Sequence, residues 1–328
     1  MREITISGKE AGQRLDKFLF RYLPGAGKSF LYKQLRKKNI VLNRKKAEGK
    51  ELLQQGDHVA IYFSEETLEK FQGLQKESSG PALDPSAVLY EDEDVLVINK
   101  PAGMLSQKAA EQDVSLVEYL RGYLLRSGAC REEDFLLYRP GVCNRLDRNT
   151  SGLVLCGKNL QAAQQLTALI RDRAVGKYYL ALVKGEVKAS FRISGWLRKD
   201  TAANRVTVSR EPAEGAARIE TACRPLAEGE GCTLLEVELI TGRTHQIRAQ
   251  LAALGHPLAG DPAYGDPGWN KVCRASYGLR RQFLHAARME FPAGSGVPEG
   301  CAGRSFRAPL PEDLQHVIRK IFGTAPVL

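Results

Sequence analysis

The run Asn144-Arg145-Leu146-Asp147-Arg148-Asn149-Thr150-Ser151-Gly152-Leu153 sets one carboxylate between two guanidiniums on a polar turn that leads straight into an apolar segment. Neighbouring cations hold a carboxylate in its charged form, and a charged carboxylate can act as nucleophile or base. An Asp in a turn before a strand is by itself an ordinary turn former bonding its own backbone, so Asp147 gains meaning only from what the rest of the chain brings to it. Two further segments carry matching chemistry. Lys177-Tyr178-Tyr179-Leu180-Ala181-Leu182-Val183 reads as a strand whose alternation puts Lys177, Tyr179, Ala181 and Val183 on one face. Thr241-Gly242-Arg243-Thr244-His245-Gln246-Ile247-Arg248 follows a strand over Leu234 to Ile240 and opens a short helix that Gly255 and Pro257 stop. Free N–H groups at that helix start, together with the Arg243 side chain, would make an anion site, with Arg248 one turn inside. His245 and His256 are read as structural or phosphate-contact residues, because no Cys or carboxylate stands beside them at metal-ligand spacing.

These residues need a scaffold, and the chain is long enough for two domains at 328 residues. It has no apolar run of the length a membrane span needs, and its N-terminus lacks the basic-then-apolar pattern of a secretory signal, so a cytoplasmic protein is expected. Seven scattered cysteines, with no two separated by only two residues, suggest neither a disulfide framework nor a zinc site. Cys143, close to Asp147, is read as a small buried apolar residue rather than a nucleophile. The net charge of +10 is uneven: residues 1–63 hold fourteen Lys and Arg against six Asp and Glu, and the rest of the chain 34 against 32. That local excess points to a polyanionic partner, with nucleic acid ahead of a membrane surface because no strongly apolar helix face accompanies it.

Three blocks follow. Residues 1–63 read as a compact basic α/β module, 64–86 as a flexible polar linker rich in breakers, and 87–328 as the large domain. In the module, Leu15, Phe18, Leu19 and Tyr22 fall at helical spacing, and a second helix is expected over Phe30 to Lys37 with Ser29 as its cap. A strand over Ile40 to Asn43, a basic turn Arg44-Lys45-Lys46 and a closing strand over Val59 to Phe63 complete it. Two cation clusters, Arg36-Lys37-Lys38 and Arg44-Lys45-Lys46, meet at one corner and are read as phosphate contacts, which supply affinity rather than sequence choice. Gly25-Ala26-Gly27-Lys28-Ser29 echoes the end of a nucleotide-binding loop, but Tyr22 stands where that motif needs glycine. The large domain opens with strands over Val88 to Tyr90 and Val95 to Asn99, joined by the acidic turn Glu91-Asp92-Glu93-Asp94, which is read as a solvated hairpin tip. Lys100-Pro101-Ala102-Gly103 follows them. A strand over Leu153 to Cys156 and a helix over Leu160 to Arg171 capped by Asn159 come after the Asp147 loop.

The Arg-Leu-Asp-Arg core followed by Thr-Ser-Gly at 145–152 resembles the catalytic motif of the ribosomal large-subunit family of pseudouridine synthases. Lys100-Pro101-Ala102-Gly103, Lys177-x-Tyr179-x-Ala181, Gly242-Arg243-Thr244-His245-Gln246-Ile247-Arg248, Phe283-Leu284-His285-Ala286 and Phe306-Arg307-Ala308-Pro309 extend the match over nearly all of 87–310. The order of elements in the first block is similar to the small RNA-binding domain shared by a ribosomal small-subunit protein, tyrosyl-tRNA synthetases and several RNA-modifying enzymes. The resemblance implies an α+β chain in which a small N-terminal α/β RNA-binding module is tethered to a mixed, mostly antiparallel β-sheet synthase domain with flanking helices. It implies isomerisation of uridines in RNA, with large-subunit (23S) ribosomal RNA as the substrate and transfer RNA as runner-up. Asp147 would begin the chemistry, by attack on sugar or base or by abstraction of a sugar proton. Tyr179 would lie against the extruded uracil, and Arg248 would form the salt bridge that keeps Asp147 charged. Arg145 would hold the vacated position, with Arg148, Lys177, Arg243 and His245 as further RNA contacts. An isomerisation requires neither metal nor organic cofactor. The family usually has histidine where this chain has Asn144, which keeps a donor and an acceptor but no titratable charge.

Two rival readings stand beside this one. A non-catalytic RNA-binding or ribosome-assembly factor would use the same basic module and leave Asp147 dispensable. A retaining glycosidase would use Asp147 as nucleophile but needs a second carboxylate as acid.

Overall fold

The computed structural model describes residues 1–72, 80–200 and 205–323. Its first part runs β1 (Arg2–Thr5), α1 (Leu15–Tyr22), α2 (Lys28–Arg36), β2 (Ile40–Leu42), β3 (Lys45–Lys46), β4 (His58–Ile61) and α3 (Glu65–Gln72). The four strands make an antiparallel sheet in the order β1-β4-β2-β3. Its core is built by the apolar face of α1, where Leu15, Phe18 and Leu19 are fully buried, closing on Leu31, Leu35, Ile40, Val59 and Ile61. Leu136 and Leu137 of a later helix join the same cluster, and Arg21 donates to the Leu137 carbonyl at 3.0 Å.

The structure moves several expected boundaries in this block. The second helix starts at Lys28 with Gly27 as its cap, so Ser29 lies inside the first turn. The Arg44-Lys45-Lys46 turn is tighter than expected: Asn43 and Arg44, both at positive φ, make the turn, and Lys45 and Lys46 already pair with Leu42 and Val41. Residues 64–72 are not linker. α3 packs Leu68 and Phe71 onto the module, with the Phe71 ring 4.9 Å from Phe30 and 6.5 Å from Phe63. Two apolar anchors one turn apart suffice to hold a short polar helix on an existing core. Leu83, at the far end of the expected linker, is buried in the large domain's core, and residues 73–79 between them lie outside the described residues.

The large domain continues with β5 (Val88–Glu91), β6 (Val95–Lys100), α4 (Leu116–Arg126), α5 (Asp134–Leu137), β7 (Gly141–Val142), β8 (Ser151–Gly157), α6 (Leu160–Arg171) and β9 (Gly176–Lys184). It then runs β10 (Phe191–Asp200), β11 (Arg205–Ser209), β12 (Ala217–Gly229), β13 (Cys232–Leu239), α7 (Gln246–Ala253), α8 (Pro267–Tyr277), β14 (Leu284–Glu290), β15 (Ser305–Arg307) and α9 (Glu312–Phe322). Among the described residues eleven strands form one sheet in the order β11-β10-β12-β13-β9-β14-β8-β6-β5, with β15 beside β14 and β7 beside β8. Every neighbouring pair is antiparallel except β14 and β8, so the sheet is mixed and mostly antiparallel.

The parallel junction lies inside the sheet, where β8 begins just after the Asp147 turn, and two residues make it. A Cβ on Gly152, at φ +114°, would meet the Ala286 carbonyl at 2.2 Å, so only glycine lets β8 approach β14. His285, fully buried, donates from Nε2 to the Ala308 carbonyl at 3.2 Å and accepts at Nδ1 from the Ser151 hydroxyl at 2.9 Å. Burial pushes this imidazole down to about 4, against an ordinary 6.5, despite the Ala308 carbonyl. Unfolded chains take up the proton below about pH 6.5 while the fold refuses it until about pH 4, so stability is complete above that window and is lost as the pH falls through it. The loss is on the order of 3 kcal/mol. Denaturant midpoints at pH 7 and pH 4.5 check this: His285→Gln, which cannot take up a proton, flattens that part of the profile, and an unchanged profile would refute it.

Candidate active site

The Asp147 turn is held from both sides by backbone and buried polar groups. Leu146 is buried in the main core and bonded twice to Ser106, whose hydroxyl accepts from Leu146 N–H at 3.0 Å and donates to the Leu146 carbonyl at 2.8 Å. With Leu146 turned inward, Arg145 and Asp147 on either side of it line a cavity of about 580 Å³. Asn144 clamps the turn to β8: its amide donates to the Leu153 carbonyl at 3.1 Å and accepts from Leu155 N–H at 2.8 Å. The Lys100-Pro101-Ala102-Gly103 loop braces the other side. Lys100, fully buried, donates to the carbonyls of Pro101 and Met104 at 2.9 Å and of Arg148 at 3.3 Å, while Arg148 Nε reaches the Gly103 carbonyl at 3.1 Å. Burial pushes the Lys100 amine down to about 7, with the Asp147 carboxylate opposing.

Arg248 reaches this turn from the first turn of α7. Its Nη1 donates to Asp147 Oδ2 at 2.9 Å, while Nε and Nη2 grip both oxygens of Asp261 at 2.7 and 2.9 Å. Burial opposes the charge on Arg248, and the two carboxylates outweigh it, so the guanidinium remains cationic. The Asp261 side chain is fully buried and also accepts from Ala263 N–H at 2.8 Å and Tyr264 N–H at 3.1 Å. Asp261 is therefore a fixed anchor behind Arg248. It has no access to a substrate, so it cannot serve as the acid a glycosidase would need.

Tyr179 and Lys177 reach the same cavity from β9 with the alternation expected for a strand. Tyr179 is in the main core, and its phenol is pushed up by burial and then by Asp147. Lys177 is 6% exposed, its Nζ lies 3.9 Å from where a Cβ on Gly242 would sit, and no acceptor bonds it among the described residues. Burial, then Arg173, lowers its pKa. A buried cation without an acceptor among the described residues is costly to keep charged.

The Gly242-Arg243-Thr244 segment differs from expectation. α7 starts only at Gln246, and two of the N–H groups at its start are taken internally, Arg243 N–H by the Gln246 side chain and Gln246 N–H by the Arg243 carbonyl, both at 3.1 Å. Arg243 contributes its exposed side chain at the cavity rim instead. His245 caps α7 in a left-handed conformation, with its ring inside the cavity wall. His256 is structural, its Nδ1 bonding the Lys184 carbonyl at 3.0 Å. The module cations Arg36, Lys37, Lys38, Arg44, Lys45 and Lys46 are all exposed and unpaired among the described residues. Sequence reasoning missed Asp261 and Tyr264, and with them the exposed cavity cations Lys108 and Lys199. Among the described residues no group of His, Cys, Asp and Glu side chains could hold a metal ion, and no helix is long and apolar enough to cross a membrane.

The family model for RNA pseudouridylate synthase matches residues 94–253, which contain Asp147, Tyr179 and Arg248. Ribosomal large subunit pseudouridine synthase C of Escherichia coli (strain K12) is 32% identical over 321 residues, covering 97% of this chain and 96% of that protein. The protein of that name from Vibrio vulnificus (strain CMCP6) is 33% identical over 334 residues, with the same coverage of both chains. Among solved structures, human RNA pseudouridylate synthase domain containing 4 aligns with a TM-score of 0.58 at 22% identity, covering 72% of this chain and 92% of that one, which is a likeness of fold. With full-length identity above 30% and the family model lying over the cavity, the chain belongs to the pseudouridine synthase family, the isomerases that convert uridine to pseudouridine in RNA.

Proposed function

We propose that this protein converts specific uridines of large-subunit (23S) ribosomal RNA to pseudouridine, starting the reaction with Asp147 on a base turned out of the RNA. The observation that carries this reading is the 2.9 Å pair of Asp147 and Arg248 in a cavity that Tyr179 also lines. Arg248 occupies Oδ2, and no side chain among the described residues donates to Oδ1, which leaves one carboxylate oxygen for the nucleotide. The chemistry breaks the N1–C1′ bond, turns the base and joins C5 to C1′. The C5 proton is lost and N1 gains one, so atoms and electrons balance without any co-reactant. Flipping the nucleotide costs a few kcal/mol, offset by stacking on Tyr179 and by Arg145, which is exposed at the cavity and unpaired among the described residues.

Arg148, Lys177 and Arg243 surround the bound strand in this reading, while the His245 ring faces Asp147. The six module cations at the α2 and β2–β3 corner bind phosphates further along a structured RNA, as an RNA-binding domain separate from the catalytic one. An enzyme acting on ribosomal RNA works where ribosomes are assembled, in the cytoplasm. Lys177 gives a separable prediction: Lys177→Met weakens RNA binding and lowers the slope of log affinity against log salt by about one. Filter binding across a salt series reads it, and an unchanged slope refutes the phosphate contact.

The test of the whole reading is a pseudouridine map of total RNA from cells lacking the gene, complemented by wild type or by Asp147→Ala. Loss of one or a few large-subunit sites, restored by wild type alone, is the expected result. Losses confined to transfer RNA would move the substrate, and no change at any site would reduce the chain to an RNA-binding factor on an enzyme's fold.

A further inference from the structure

Beside Arg248, a second side chain approaches the same carboxylate oxygen. His245 Nε2 lies 3.9 Å from Asp147 Oδ2, with the ring largely enclosed, and its Nδ1 is 3.0 Å from the Tyr264 hydroxyl. That hydroxyl already accepts the Val206 N–H at 2.8 Å, and among the described residues it has no acceptor other than His245 for its own proton. With its proton given to His245, Tyr264 donates to Nδ1 and leaves that nitrogen unprotonated. The ring proton then sits on Nε2, the nitrogen 3.9 Å from Asp147 Oδ2.

Tyr264 is fixed for this task from three sides. Its backbone N–H is bonded to Asp261, its hydroxyl to β11, and the guanidiniums of Arg248 and Arg205 each lie 5.2 Å from its ring centroid. His245 itself holds a left-handed backbone at φ 53°, a conformation uncommon outside glycine, in which histidine is among the tolerated residues. Strain of this kind persists where the surroundings over-determine it, and it gathers at working sites.

We propose that His245, 3.9 Å from Asp147 in the free enzyme, closes on it as an uncharged hydrogen-bond donor through Nε2 when the nucleotide is bound, and that Tyr264 is the positioning residue that fixes it in that form. This rests on the pseudouridine synthase reading of the site. Arg248 supplies the one full positive charge that Asp147 needs. A second cation would hold the carboxylate more tightly and blunt its reactivity, whereas a neutral donor orients it at little electrostatic cost, as neutral imidazoles do elsewhere. With Oδ2 bonded by Arg248 and faced by His245, Oδ1 is the oxygen presented to the nucleotide. The groups facing the imidazole agree with a neutral ring: burial lowers its pKa, Asp147 and Asp261 raise it, Arg248 and Lys199 lower it, and the balance lies below the ordinary value.

The proposal is tested first without substrate, by ring-nitrogen NMR of the full-length protein labelled with 15N-histidine, with His245 assigned by its loss in His245→Gln. The expected result is an Nε2–H tautomer that titrates below ordinary histidine. Tyr264→Phe raises that titration by about 0.5–1 pH unit, and Asp147→Asn lowers it. An Nδ1–H tautomer, or a titration that neither variant moves, overturns the proposal whether or not the protein isomerises uridine. Kinetics supply the second arm. His245→Ala lowers kcat roughly ten- to hundredfold with little change in KM, while His245→Gln, which carries a neutral donor to the same distance, retains most of the rate. The acidic limb of the kcat profile moves to higher pH in Tyr264→Phe and disappears in His245→Gln. A wild-type kcat in His245→Ala, or a limb unmoved in Tyr264→Phe, is the contrary result, and thermal melting separates both from misfolding.

Discussion

Replacing Asp147 by Asn stops pseudouridine formation, a loss of at least about ten-thousand-fold, and leaves the protein folded and bound to RNA. The substitution keeps the shape of the side chain and removes its charge. The turn is held elsewhere: Thr150 N–H bonds the Asp147 backbone carbonyl at 3.0 Å, Ser106 holds Leu146, and Asn144 ties the loop to β8. Arg248 keeps two bonds to Asp261, so the buried guanidinium retains a counter-charge. Removing a negative charge from a cavity that receives phosphodiester lessens repulsion, and affinity for RNA is equal to or tighter than that of wild type. Single-turnover assays on large-subunit RNA from a strain lacking the gene, paired with filter binding, read both halves. Residual turnover within a hundredfold of wild type would show that the carboxylate does not start the reaction.

Three of the cavity's side chains were legible in the sequence because each lies in a local pattern. Asp147 stands between two arginines on a turn, Tyr179 on the core-facing side of a β-branched and aromatic strand, and Arg248 in the first turn of a helix. Asp261 was not. Gly260-Asp261-Pro262 reads as a plain turn, thirteen residues beyond Arg248, and its meaning lies in a bidentate contact that only the folded loop makes. Tyr264 was hidden for the same reason, its partners coming from α7, β11 and the loop before α7.

The sheet was only partly legible. β6, β8, β9 and β13 are nearly continuous apolar runs because they are covered on both faces, and the eye finds them. The strands β10 and β11 alternate exposed and covered residues, with Arg, Lys and Ser on the open face, at the sheet's edge. β10 is fixed by its register with β12, and β11 by its register with β10, rather than by composition. Helix α3 was read as linker because its eight residues include only two large apolar ones, and what makes it a helix is the ready-made surface of Phe30 and Phe63 beneath them. Tertiary contact overrode a weak local signal.

Asp261→Ala is expected to be the most damaging single change outside the turn itself, costing about 3–5 kcal/mol of stability and, in the protein that still folds, at least about a hundredfold in kcat. Arg248 is largely buried, and losing its fully buried partner leaves a cation with only the Asp147 contact. The same carboxylate also ties down the N–H groups of Ala263 and Tyr264, so the loop that holds His245 loosens with it. Burial works against charge on Asp261, but Arg248 and those N–H groups outweigh it and hold the carboxyl below its ordinary value of 3.8. A carboxylate with a lowered pKa stabilises the fold fully above its unfolded value and loses that contribution only as the pH falls through the folded one. The whole penalty is therefore present at neutral pH and shrinks in acid. Asp261→Asn retains an acceptor for the loop and recovers most of the stability but little of the rate, since a neutral amide no longer balances Arg248, which then binds Asp147 more tightly. Denaturant melts at pH 7 and pH 3.5, set beside single-turnover rates for both variants, distinguish an anchor of the active arginine from a loop staple. Equal recovery of stability and rate in Asp261→Asn would assign Asp261 to the loop alone.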